Sequence, residues 1–158
     1  MAYYEDGSDF PEFGPGAFKA VGWLSKRHSY AHAHLNEDRQ STAEVFDKLC
    51  HLCAQPWQPA TIGGGHSCDL CRFTEGTSVA NYHGYAIAGT SAKVVLVPGL
   101  NVIYVAPVGI LHYMDAHDYV PPFDFVTAAL HCPPMRSSAY FQALMENGAR
   151  ELVRHPHH

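Results

Sequence analysis

Two short motifs carry residue types that bind transition metals. Cys68 and Cys71 form a C-x-x-C pair that follows Gly63-Gly64-Gly65-His66-Ser67, in a stretch with neither helical nor strand periodicity. Two thiolates three positions apart in a tight turn grip one tetrahedral ion, the arrangement of a zinc knuckle. Glycine lets such a turn fold closely around the ion. His66, two residues before Cys68, adds a third ligand type. Farther on, His112 and His117 are spaced H-x4-H, within the range that zinc sites use. The 40 residues between Cys71 and His112 exceed the roughly 12–15 of a short zinc finger, so this is not one. The expected ligand set is Cys68, Cys71 and His112, joined by His117 or by His66, around one Zn2+. Thiolate and imidazole suit zinc, whereas magnesium and calcium take oxygen ligands. Asp115 and Asp118 lie close enough in sequence to orient an imidazole, though solvated surface acids are the commoner case.

A second C-x-x-C, Cys50 and Cys53, stands 14 residues before Cys68 and so completes a four-cysteine spacing. Its context differs. Val45, Phe46, Leu49, Leu52 and Cys53 recur as the apolar stripe of an amphipathic helix. A cysteine on such a stripe is usually a small hydrophobe in the core, and that reading is preferred here. His28, His32 and His34 are read as a solvated polar connection, and His155, His157 and His158 belong to a C-terminal tail outside the site.

The elements that must position these ligands follow from pattern. Phe18 to Leu24 reads as a first strand. A helix from about Thr42 to Ala54, with Ser41 and Glu44 as a capping box, stops before Pro56. Lys93 to Val97 and Val102 to Val105, joined by Pro98-Gly99-Leu100-Asn101, carry the best hairpin signal. Pro107 can open the next helix, which runs to about His117. In a continuous helix residues i and i+5 point about 140° apart, so this helix must end before His117 if both histidines are to share an ion. Asp118-Tyr119-Val120-Pro121 makes that plausible. A helix over about 123–131 has Phe123, Val126, Ala129 and Leu130 on its expected buried face, and Ser137 or Ser138 caps the last helix. Trp23, Leu49, Val95, Ile103, Leu111, Val126 and Leu144 are the expected core.

Strands followed by helices imply an α+β domain. The expected architecture is a small antiparallel sheet with a zinc knuckle, packed against three or four helices in a treble-clef-like order. Residues 1–16, rich in Gly, Pro and acids, read as a flexible arm, 17–150 as a single domain, and 151–158 as a tail.

Composition narrows the function classes. The chain is 47% hydrophobic and only 16% charged, which excludes a disordered chain. Net charge is −5, which argues against a nucleic-acid binder. No apolar run is long enough to span a membrane. With no basic, apolar leader, the expected compartment is the reducing cytoplasm. There are 12 His and 5 Cys against 10 Lys plus Arg, an excess that points to metal chemistry.

Several segments resemble those of an uncharacterised family of bacterial proteins, a domain of unknown function. They are Ala20-Val-Gly-Trp-Leu, Asp47 to Pro59 ending in Gln55-Pro-Trp-Gln-Pro, Gly65-His-Ser-Cys-Asp-Leu-Cys, Val97-Pro-Gly, Ile103-Tyr-Val-Ala-Pro, Leu111-His-Tyr-Met-Asp-Ala-His-Asp-Tyr-Val-Pro-Pro and Cys132-Pro-Pro-Met. The resemblance spans most of residues 18–147. It implies no activity, but it places emphasis on His66, Cys68, Cys71, His112 and His117.

Three functions fit. The first is a small zinc-binding module whose metal is structural and which engages a protein partner. The second is a hydrolase-type zinc enzyme with three protein ligands and an activated water. The third is a thiol redox protein using Cys68 and Cys71. No G-x-S-x-G elbow, P-loop or H-E-x-x-H is present, so the module is preferred.

Overall fold

The computed structural model describes residues 3–32, 39–59, 68–71, 79–88 and 93–156. It has an α+β architecture. Strand β1 is Phe18–Ala20, helix α1 is Arg39–Ala54, β2 is Val79–Tyr82 and β3 is Tyr85–Ala88. Then come β4 (Val94–Pro98), β5 (Ile103–Pro107), α2 (Ile110–Ala116), α3 (Phe123–His131), α4 (Ser138–Leu144) and α5 (Arg150–Arg154).

The central sheet has the order β1-β5-β4. β4 and β5 form the expected antiparallel hairpin, with Leu96 opposite Val105. All five residues of β4 are buried, because the sheet is covered on both faces and so reads as a continuous apolar run, not an alternating one. β1 differs from expectation: it runs parallel to β5, Phe18 opposite Ile103, so the sheet is mixed. It is also shorter than expected, ending at Ala20. The hairpin β2–β3 turns through His83 (φ 51°) and Gly84 (φ 85°). That is a two-residue turn whose twist matches the strands it joins.

Helix α1 is already formed at Arg39, so Ser41 lies inside it and not at its cap. Val45, Leu49, Cys50, Leu52 and Cys53 are buried, which agrees with the core reading of both cysteines. The Lys48 ammonium donates to the Cys132 carbonyl at 2.7 Å, satisfying an acceptor at the C-terminus of α3. Pro107 does not open α2; it closes β5, where it pairs with Val94. α4 is capped as expected, with the Tyr140 N–H donating to Ser137 Oγ at 3.1 Å.

The face assigned to α3 is corrected. Phe125 and Ala129 are fully buried, whereas Phe123 is 81% exposed and Leu130 is also exposed. Val126 is only half-buried; the other six residues expected in the core are buried. In α3 six of the nine residues are apolar, so more than one face satisfies the helical period. Only the neighbours α1 and β4 decide which one is covered.

The N-terminal stretch, expected as an arm outside the core, lies along the sheet. The Gly7 and Phe10 N–H groups donate to Ala20 and Phe18 carbonyls, and the Ala20 N–H donates to Ser8. Phe10 is 1% exposed and stacks at a tilt among Tyr4, Phe13 and Trp23. Burying a phenylalanine contributes about 1.5–3 kcal/mol, which adds to these backbone hydrogen bonds in holding the segment on the sheet. At the other end, Leu152 on α5 is buried, so packed structure continues past residue 150.

Two long-range hydrogen bonds tie the sheet to its surroundings. Trp23 Nε1 donates to the Val105 carbonyl at 2.9 Å. The Tyr140 hydroxyl donates to the Leu96 carbonyl at 2.7 Å.

Candidate metal centre

Two segments far apart in the chain meet beside α2. One is the knuckle Cys68-Asp69-Leu70-Cys71, and the other is α2 with the turn after it. Leu70 packs against the core, which anchors the knuckle and turns both thiols toward α2. The donor atoms of Cys68, Cys71, His112 and His117 all lie within 4.8 Å of one another. The two sulfurs are 3.7 Å apart. His117 Nε2 is 3.4 Å from Cys68 Sγ and 3.3 Å from Cys71 Sγ. His112 Nε2 is 3.0 Å from Cys71 Sγ.

These distances can be compared with a tetrahedron around one ion. Bonds of about 2.3 Å to sulfur and about 2.0–2.1 Å to nitrogen give edges of about 3.8 Å (S to S) and about 3.6 Å (S to N). The sulfur pair is close to that edge length, the two edges from His117 (3.4 and 3.3 Å) are slightly shorter, and the His112–Cys71 edge (3.0 Å) is the most contracted. These four residues are placed to hold a metal ion.

The two histidines reach one point because α2 stops in time. His112 stands in its first turn. The helix ends at Ala116, and His117 has already left helical geometry (φ −124°, ψ 12°). Asp118 then takes a left-handed conformation, φ 54°, and the Tyr119 N–H returns to the Tyr113 carbonyl at 3.1 Å. The rings of His112 and His117 come within 5.0 Å, nearly perpendicular. A treble-clef order would take both ligands from a helix start; here one comes from the first turn and the other from the C-cap.

The electrostatics favour a cation. Burial lowers the pKa of His112, the neighbouring His117 adds to this, and Asp115 opposes it. A neutral imidazole is the form that ligates. Burial pushes the Cys68 thiol up to about 11, backbone N–H groups of Leu70 and Cys71 oppose the rise, and the Cys71 sulfur adds to it. Ionising the Cys68 thiol in this half-buried setting is thus costly by itself, and a bound cation would offset that cost.

The supports around the ligands were not legible in the motifs. The Tyr30 hydroxyl donates to the His117 carbonyl at 3.0 Å. Asp69 Oδ1 accepts from the Lys26 N–H at 2.9 Å, and the Val120 N–H donates to the Ala31 carbonyl at 3.0 Å. Tyr30 and Ala31, in the stretch around His28 and His32 read as a solvated connection, and Lys26 just before it therefore brace both ligand-bearing pieces. Both histidines are exposed; His28 stacks on Tyr3 and His32 on Tyr30. Asp115 and Asp118 are exposed as well. A second brace comes from Asp6, which accepts from the Gly22 N–H at 2.9 Å and from the Tyr119 hydroxyl at 2.8 Å. Gly22 has φ +81°, and a Cβ there would lie 2.9 Å from Ile110 on α2, so only glycine permits this approach. His66, His34 and the triple glycine lie outside the described residues.

The fold and site together define an α+β domain carrying a Cys2His2 cluster. The chain belongs to the family described as Domain of unknown function (DUF7919), whose profile matches residues 2–130. The matched region includes all four clustered residues and the buried Phe10. Neither the curated proteins nor the solved structures contain a match to this chain. Among the described residues, no helix is long and apolar enough to cross a membrane.

Proposed function

We propose that the chain is a small cytoplasmic zinc-binding protein whose metal is mainly structural, and that it acts as a protein-interaction module. The observation that carries this reading is the convergence of four donors, two thiols and two imidazoles from two distant segments, within 4.8 Å of one another. Two thiolates with two imidazoles match zinc, and four protein ligands leave no open position for an activated water. That closed set is why a structural role is favoured over a hydrolase. The metal would join the knuckle to α2 and the core behind it. The role in binding a protein partner draws support from the exposed Phe123 and Leu130, seven residues apart on α3.

The test is metal content joined to stability. Purified protein should contain zinc in equimolar amount, and a strong chelator should lower the thermal midpoint reversibly. Protein that keeps its full thermal midpoint after losing its metal would overturn the structural role. An absorption edge spectrum showing a coordinated water in place of one side chain would overturn the closed site.

A further inference from the structure

We propose that Cys68 and Cys71 form an oxidation-sensitive latch, in which a peroxide converts the metal-binding thiols to a disulfide and releases the ion. The proposal rests on the zinc reading above and assigns a mode of regulation to that same site.

Three observations carry it. First, the two sulfurs are already in contact at 3.7 Å, on a loop with only Asp69 and Leu70 between them. Closing to a disulfide requires a shift of less than 2 Å. Second, both are partly exposed, whereas Cys50, Cys53 and Cys132 are 0%, 1% and 3% exposed. Among the five cysteines, an oxidant from solvent reaches the metal-binding pair first. Third, the other two donors, His112 and His117, are imidazoles that peroxide leaves intact, so loss of the thiolates alone halves the ligand set.

The chemistry balances with hydrogen peroxide as the named oxidant. One thiolate attacks a peroxide oxygen; the O–O bond breaks, leaving a sulfenic acid and hydroxide. The second thiolate attacks the sulfenic sulfur; the S–S bond forms, the S–O bond breaks, and a second hydroxide leaves. Two protons from solvent convert both hydroxides to water. The two electrons lost by the sulfur pair are those gained by the peroxide. A disulfide is no longer an anionic donor, so the ion departs, and the knuckle loses its metal tie to α2.

The experiment treats the zinc-loaded full chain with hydrogen peroxide in the presence of a colorimetric zinc indicator. Intact mass and peptide mapping then follow. The expected result is zinc release in step with loss of two mass units and a Cys68–Cys71 crosslinked peptide, both reversed by dithiothreitol and added zinc. A C50A/C53A/C132A variant should release zinc at the same rate; should it fail to fold, the peptide map of the unmodified chain makes the same assignment. Zinc retained with Cys68 and Cys71 still reduced, or oxidation found first at Cys50, Cys53 or Cys132, overturns the latch and leaves the metal reading standing. A chain that binds no zinc before peroxide is added overturns the metal reading and the latch with it.

Discussion

The Tyr30 hydroxyl donates a 3.0 Å hydrogen bond to the main-chain carbonyl of His117, 87 positions away. His117 sits where α2 has just ended, and its carbonyl has no place in the helical ladder. By occupying that acceptor, Tyr30 holds the turn in which the His117 imidazole faces both thiols. Support of this kind fixes ligand geometry without touching the ion.

Replacing Tyr30 with Phe should therefore weaken the site without removing a donor. The lost hydrogen bond is worth about 0.5–1.5 kcal/mol, and the expected fall in zinc affinity is roughly 3- to 10-fold. Competition against a calibrated chelator measures it. Affinity unchanged within twofold would show that the turn holds itself.

Cys68→Ser should lose metal and stability together. Metal held at 100 to 1,000 times its dissociation constant stabilises by about 3–4 kcal/mol. In a domain of this size that corresponds to a fall in Tm of roughly 6–16 °C. Calorimetry with and without added zinc gives the number. A variant that melts like the parent at zero zinc and fails to respond to added zinc is the expected pattern; a parental response to zinc would remove Cys68 from the ligand set.

Asp6 offers a prediction with a definite sign. Its carboxyl is held above the usual aspartate value by burial, partly offset by the Gly22 N–H and the Tyr119 hydroxyl. The folded state then holds the proton more tightly than the unfolded one. The group's contribution is full below the unfolded pKa and is lost as pH rises through the folded one. Asp6→Asn cannot titrate. Stability of the parent minus that of Asp6→Asn should therefore increase as pH falls through the mildly acidic range, measured by denaturant titration on both proteins. Subtraction removes the acid lability that both share through the metal site. A difference that decreases on acidification would contradict the sign.

The two phenylalanines of α3 should behave oppositely. Phe125 is fully buried and meets Tyr104 edge-on, with ring centroids 5.6 Å apart. Phe125→Ala should cost about 3–5 kcal/mol. Phe123→Ser, at an exposed position, should stay within about 0.5 kcal/mol of the parent. Urea unfolding midpoints decide between this and the opposite face.

Local chemistry in the sequence was enough to single out the ligand types, the hairpin β4–β5, the extent of α3 and the core role of Cys50 and Cys53. Each of these depends on neighbours within a few residues. β-branched runs favour strands, apolar residues at helical spacing mark a buried stripe, and thiols among glycines mark a knuckle. The need for α2 to end before His117 was also legible, because helical geometry forbids i and i+5 from sharing an ion.

What depends on distant partners was decided only in three dimensions. The parallel pairing of β1 with β5, the packing of Phe10 over the sheet and the braces from Tyr30, Lys26 and Asp6 all join residues whose spacing carries no periodic signal. For α3 the sequence allows two apolar faces, and the free energy of covering Phe125 against Tyr104 selected one. The same holds for the Cys2His2 cluster. Sequence supplies four donors of suitable chemistry, but their meeting within 4.8 Å follows from the core that carries Leu70 on one side and α2 on the other.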